Sequence, residues 1–411
     1  MKKQVSVSVL LLAVFAAVLL TFQCTYVGLT LAYGEQMGEY ELGSADIVKV
    51  DSIRQIFEQY SLYSENLEAI DYDIFLSGEA IFHAYVMATG DPYAAYYSAE
   101  EWIEQAYSSA GNLVGIGVSV VYSAEKNIIE VLFAMDGSPA KEAGILPGDY
   151  IVGVDSVRVE DVGYEDAVNR VRGEIGTKVT VTIQRELEDG TTKEMDLTMT
   201  RREVVNQSVL YFVAEADASV GVIRILEFDD RTPEQFEKAL EALQNEGVSK
   251  LIFDVRGNPG GDRDAVASVL DPLLPEGVIA TFVTVDGTVD YSVDSDANCL
   301  DMPMVVLADG NTASAGELFT CALMDYDVAT FIGTRTYGKG VAQGYRQLHD
   351  GSVVKLTTHY YNPPKSENYD GYGIEPDIEV ALPEEYQLVH ILTVPQSEDT
   401  QLAAAIAELN K

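Results

Sequence analysis

The sequence predicts an α/β protein that carries an inserted β-rich module and a helical N-terminal region. From Ser219 to about Gly333 strand-like and helix-like stretches alternate, as in "VGVIRILEF", "KLIFDVRG", "MPMVVLA" and "VATFIG", which implies a largely parallel sheet with helices between its strands. Ahead of that stretch, short β runs punctuated by glycine fill 113–203. Ahead of those, over 46–109, apolar residues recur at spacings of three and four, the mark of helices. With 411 residues, 47% of them hydrophobic, the chain has material for two or three domains with proper cores.

Charge narrows the function. Sixty-six acidic residues against 26 basic ones give a formal net charge of -40, which repels a phosphate backbone and excludes nucleic acid as a partner. At the N-terminus Lys2 and Lys3 precede an apolar run with no charge before Glu35, long enough to cross a bilayer as a helix. Residues 1–34 are therefore expected to be a signal anchor, single-pass in the cell membrane, with the body on the extracytoplasmic side. Cleavage near Ala32, which would release the body as a secreted protein, is the alternative. Cys24 follows Gln23 rather than the small residue that lipidation needs, and Cys299 and Cys321 are read as free buried thiols rather than a bridge.

The elements follow in order. "VDSIRQIFEQYSLY" and "EAIFHAYVMAT" read as helices; "GDPYAAYY" breaks the pattern, and "SAEEWIEQAY" resumes it with Ser98 as cap and Glu101 three residues on. His83, alone among apolar neighbours, is a core or boundary residue. In 113–203, Asp189-Gly190 marks a hairpin between the last two strands. Gly115, Ile116, Gly117 and Val118 form a loop able to show backbone N–H groups to a terminal carboxylate, beside a strand edge open to a peptide. The residues "GIGV", "GSPAKEAGILPGDYIVGVD" and "VRGEIGTKVTVTIQR" resemble a PDZ domain of bacterial proteases. In 219–385 a helix is expected to start at Thr232 as cap, with Pro233 in its first turn and Gln235 closing a capping box; Phe236, Ala239, Leu240 and Leu243 form its apolar face. Glycine turns and returning strands come after Thr334, and the amphipathic tail, 386–411, is expected to pack on the core.

Chemistry concentrates in three stretches. Ser314 follows the strand Met304–Ala308 and opens a helix, where unpaired N–H groups and the helix dipole favour an oxyanion. A helix-capping serine would look the same in isolation. No Gly-x-Ser-x-Gly elbow is present, and His349, His359 and His390 have no partner pattern. Lys339, between two glycines in "TYGKGVAQ", can act as a base if burial keeps its amine neutral, with Gln343 four residues on to hold it. "DVRGNPGG" offers Gly260 and Gly261, whose N–H groups, together with that of Ala315, can face a developing oxyanion.

In order and spacing, "DVRGNPGG", "GNTASAGE" and "TYGKGVAQ", preceded by the PDZ-like segment and followed by "GYGIEPDIEV", resemble the carboxy-terminal processing peptidases, serine proteases with a Ser/Lys dyad. The resemblance implies a core of the crotonase and ClpP type, Ser314 as nucleophile, Lys339 as general base, Gln343 orienting the lysine, and Gly260 and Ala315 as oxyanion donors. It implies protein or peptide substrates held by their C-termini, with no metal or organic cofactor. It leaves room for a homo-oligomer, for a regulatory partner, and for a resting form with the dyad held apart. Gly316, Gly257 and Asp262-Arg263 depart from the family's usual residues, which bears on the shape of the cleft and not on the dyad. Two rivals remain at this level: a PDZ-bearing scaffold that binds without cutting, and a hydrolase of small esters or cell-wall peptides.

Overall fold

The apolar runs 220–225, 250–254 and 304–308 are strands buried on both faces in the computed structural model, which describes residues 44–62, 80–109, 112–123, 128–187 and 189–411. The expected membrane segment, 1–34, lies outside the described residues. Among the described residues no helix is long and apolar enough to cross a membrane.

Helices α1 (Ser44–Tyr60) and α2 (Ala80–Ala88) lead to strand β1 (Ala95–Tyr97) and helix α3 (Ala99–Ser109). The first two bury Ile53, Phe57, Phe82 and Tyr85 against Val354 and Leu356, so the N-terminal region docks on a strand from far along the chain. At the start of α3 the expected reciprocal cap is formed: Ser98 N–H donates to Glu101 Oε2 at 2.7 Å and Glu101 N–H to Ser98 Oγ at 3.2 Å. His83 sets its ring edge-on to Tyr96, a boundary packing role. Of the two cysteines expected to be free and buried, both are free but only Cys321 is buried; Cys299, in a polar loop, is exposed.

The β-rich module runs from β2 (Asn112–Gly115) through β3 (Val118–Ser123), β4 (Ile128–Ala134), α4 (Pro139–Ala143), β5 (Tyr150–Val154), β6 (Val157–Arg158), α5 (Val159–Val171), β7 (Lys178–Glu186) and β8 (Thr192–Thr200) to β9 (Arg202–Val205). Strands β2 and β9 pair antiparallel, so chain entry and exit lie side by side, as an insertion requires. The main sheet has the order β3-β4-β5-β7-β8, which leaves β3 at an edge. Asp189-Gly190 turns the β7–β8 hairpin, with Gly190 at φ 76°.

The α/β half contains β10 (Val209–Val213), β11 (Val220–Ile225), α6 (Thr232–Asn245), β12 (Lys250–Asp254), α7 (Arg263–Leu270), β13 (Gly277–Val283), β14 (Val289–Ser295), β15 (Met304–Ala308), α8 (Ala315–Asp325), β16 (Ala329–Gly333), β17 (Val341–Gln347), β18 (Val353–Asn362), β19 (Ile378–Glu379) and α9 (Thr400–Leu409). Its central sheet, ordered β10-β11-β12-β15-β16-β19, is parallel except where β10 joins β11. Successive side chains alternate between faces: Leu251, Phe253 and Val306 pack with Phe236, Val266 and Phe319 of α6, α7 and α8, while Ile252, Val305 and Leu307 pack with Leu402 and Ala405 of α9. A second sheet, β1-β18-β13-β14 with β17 on β18, contributes Phe282, Gln343 and Tyr361 to the cavity that Gly261 and Ser314 also line.

The start of α6 differs from the expected capping box. Gln235 does not reach back to Thr232; its Oε1 accepts the N–H groups of Ser208 and Val209 at 3.0 and 3.1 Å. Those donors open β10 and would otherwise be unpaired. Thr232 is not the cap either: it is the first helical residue, behind Arg231, and its hydroxyl turns upstream to Asp229.

Candidate active site

Ser314 lies between the end of β15 and the first turn of α8, with φ 54° and ψ −119°. A non-glycine residue in that region is strained, and the strain is held by its neighbours. The Ala313 N–H donates to the Asn258 carbonyl at 2.9 Å, and the Asn258 amide in turn donates to the Ile225 carbonyl at 2.9 Å. Gly260 presses against Ser314 so closely that a Cβ at 260 would sit 2.6 Å from Ser314 Cβ, which makes glycine obligatory.

A cavity of about 630 Å³ opens at this point, with Ser314, Ala315, Gly261, Gln343, Tyr361 and Trp102 among its walls. The backbone N–H groups of Gly261 and Ala315 have no backbone acceptor among the described residues, so both remain available at the cavity wall. Gly260, the other expected donor, is different: its N–H is already given to Asn258 Oδ1 at 2.8 Å, because its loop folds back on its own asparagine. Two of the three expected donors are thus free in this conformation.

Lys339 is half-buried, between Gly338 and Gly340 as its sequence suggests. Burial lowers its pKa from the usual lysine value, helped by Lys355, while Asp91, Glu317 and Asp370 pull the other way. Its ammonium lies 4.3 Å from the centroid of the Tyr93 ring and is not on the wall of the Ser314 cavity. Among the described residues neither Ser314 nor Gln343 hydrogen-bonds the amine. Gln343 donates its Nε2 to Thr357 Oγ1 at 3.3 Å instead.

Sequence reasoning missed the residue that joins these parts. Glu317, fully buried, accepts the N–H of Ser314 at 2.9 Å, of Gly338 at 2.7 Å and of Lys339 at 2.8 Å, and the Thr336 hydroxyl at 2.6 Å. Burial pushes its carboxyl up, and the donors pull it back towards ionisation. One side chain therefore ties the backbone of the serine to that of the lysine. The only available signal was its spacing of three from Ser314, which reads as an ordinary helix cap. Tyr361 adds a second tie, its hydroxyl donating to the Lys339 carbonyl at 2.5 Å.

In the β-rich module, Gly115, Ile116, Gly117 and Val118 all line a second cavity, of about 840 Å³, between the free edge of β3 and Tyr164, Val168 and Val171 of α5. Gly117 has φ 71°, and a Cβ there would lie 2.4 Å from Ser138 Cβ. Glu104 of α3 reaches the same groove, while Trp102 of that helix reaches the Ser314 cavity.

Residues 219–380 match peptidase family S41, and residues 131–185 match the PDZ domain. The chain is 32% identical over 327 residues to a carboxyl-terminal-processing protease of Synechocystis, covering 78% of this chain and 74% of the relative. It is 33% identical over 308 residues to a carboxy-terminal-processing protease of Bartonella bacilliformis, covering 72% and 68%. The fold is similar to that of a photosystem II D1 C-terminal processing protease, with a TM-score of 0.54, 23% identity, and coverage of 82% of this chain and 94% of that one. Motifs, fold and relatives agree, and the chain belongs to the carboxy-terminal-processing proteases, PDZ-bearing serine peptidases of family S41.

Proposed function

We propose that the protein is an extracytoplasmic endopeptidase, anchored in the cell membrane by residues 1–34 or released by cleavage after them. It captures free C-termini of protein substrates at Gly115–Val118 and cuts near them with Ser314 and Lys339. The observation that carries the reading is Ser314, held in a strained turn at the wall of a cavity that also presents the N–H groups of Gly261 and Ala315. The open edge of β3 supports capture, since an extended peptide can add to it as a further strand while the glycine loop receives its carboxylate.

Catalysis runs by acyl transfer. Neutral Lys339, off the Tyr93 ring, takes the proton of Ser314 as Oγ attacks a peptide carbonyl. Gly261 and Ala315 donate to the oxyanion, each worth about 3 kcal/mol on the precedent of single-donor removal. The protonated lysine then gives its proton to the leaving amine, and water releases the acyl-enzyme. Gln343 orients the amine in this scheme.

The test is incubation of the full chain with unstructured proteins, mapping cut termini by mass spectrometry. Wild type is expected to cut near carboxyl ends, whereas Ser314→Ala and Lys339→Ala abolish cleavage and keep the melting curve. Normal turnover by either variant removes the mechanism. A scaffold that binds without cutting would leave every substrate intact with the wild type as well, so the same assay separates that reading.

A further inference from the structure

One buried carboxylate outside the dyad has its partners arranged along a path to the orienting amide. Asp91, in the break between α2 and β1, is 4% exposed. Its Oδ2 accepts the Thr357 N–H at 2.7 Å, and its Oδ1 accepts the Thr357 hydroxyl and the Tyr93 N–H, both at 2.9 Å. Thr357 lies on β18 opposite Gln343 on β17, and its hydroxyl oxygen accepts from Gln343 Nε2. Two residues beyond Asp91, the Tyr93 ring carries the Lys339 ammonium.

Donor and acceptor chemistry gives this path a direction. A carboxylate only accepts, so the Thr357 hydroxyl proton is committed to Asp91 and the hydroxyl oxygen is left to accept from Gln343. Gln343 must then present its NH₂ to Thr357, which leaves its carbonyl Oε1 with no donor among the described residues. A free amide carbonyl is what a lysine N–H needs; a flipped amide would oppose donor to donor. We propose that the Gly90–Tyr93 turn is a positioning unit of the active site: Asp91, through Thr357, fixes which end of Gln343 faces Lys339, and Tyr93 seats the lysine's charged form. The inference rests on the Ser/Lys reading and deepens it. Around that amine Asp91, Glu317 and Asp370 also favour the charged form, while burial and Lys355 oppose it.

The experiment measures kcat and KM against pH for the full chain, using a quenched fluorescent peptide that ends in a free apolar carboxyl terminus. Thr357→Val and Asp91→Asn are expected to lower kcat about tenfold or more with little change in KM, since positioning acts on the reacting complex. Thr357→Ser restores most of it, and should Asp91→Asn fail to fold, the Thr357 pair reads the same path. Tyr93→Leu, losing the ring face, moves the acidic limb of kcat/KM to lower pH by about one unit, and Tyr93→Phe leaves the limb in place. Wild-type kcat in folded Thr357→Val, or an unmoved limb in Tyr93→Leu, overturns the inference. Lys339→Ala keeps the two questions apart: turnover by that variant removes the Ser/Lys reading itself, whereas its inactivity alongside unchanged Thr357→Val and Tyr93→Leu removes only the positioning unit.

Discussion

A carboxylate with four donors and no exposure is an unusual place to put a charge, and Glu317 holds it where serine and lysine backbones meet. Leaving a buried donor unpaired costs about 1–3 kcal/mol. Glu317→Gln turns one acceptor into a donor facing those N–H groups, so its melting temperature is expected to fall and its kcat to drop more than KM rises; a thermal melt and steady-state kinetics check both. Sequence reading went partway here. Ser314 and Lys339 stood out by their residue types and glycine neighbours, and the lysine is indeed buried enough to lower its pKa. Glu317 stayed hidden because three of its four donors come from residues 336–339, about twenty positions away, and no local pattern encodes that meeting. Gly260 was legible as a candidate oxyanion donor; its close approach to Ser314 and the turn of its N–H to Asn258 were not, since a free and an occupied donor suit the same Pro-Gly turn.

At the scale of elements, local signals succeeded where nothing distant competed for the same groups. Ser98 and Glu101 cap α3 as their spacing demands, whereas Gln235 leaves its expected cap for the unpaired start of β10. The short β runs of the module and its Asp189-Gly190 hairpin were legible because period-two runs and glycine turns are local, whereas the pairing of β2 with β9, about ninety residues apart, was not. Its peptide groove depends on Gly117, which combines a positive φ with contact against Ser138 and Val204. Gly117→Ala is expected to destabilise the module by about 1–3 kcal/mol and to weaken binding of peptides with a free carboxyl terminus. Calorimetric titration with such a peptide and with its amidated form checks the second effect; equal binding of both by wild type would contradict carboxylate capture.

Across the whole molecule, the C-terminal helix is pinned from inside the sheet. Arg256, fully buried, donates to Asp254 and to both carboxylate oxygens of Asp399 at 2.8 Å, with Gln401 at 2.9 Å, while Arg224 also binds Asp254. Removing one partner of such a cluster strands charges and costs about 3–5 kcal/mol. Arg256→Ala is therefore expected to lose a large share of the stability of the catalytic half and to free α9 for proteolysis, measured by urea unfolding and limited digestion. Burial alone would raise the Asp254 carboxyl, but Arg224 and Arg256 outweigh it and hold it well below its ordinary 3.8. A depressed carboxyl stabilises above its unfolded pKa and loses that contribution as pH falls, so the melting temperature should decline below about pH 4. The tail's packing was legible from its amphipathic pattern; the buried arginine that secures it was not, because its partners Asp399 and Gln401 lie 143 and 145 positions further along the chain, beyond any local pattern.

The central claim is that burial leaves Lys339 neutral enough to activate Ser314. Its most direct measurement is the rate at which a serine-directed fluorophosphonate labels the full chain between pH 6 and pH 10, with the modified residue identified by mass spectrometry. The account predicts labelling at Ser314 alone, rising with pH through a single titration below the ordinary lysine value of 10.5 and falling to background in Lys339→Ala. Labelling of Ser314 at the wild-type rate in Lys339→Ala would contradict it.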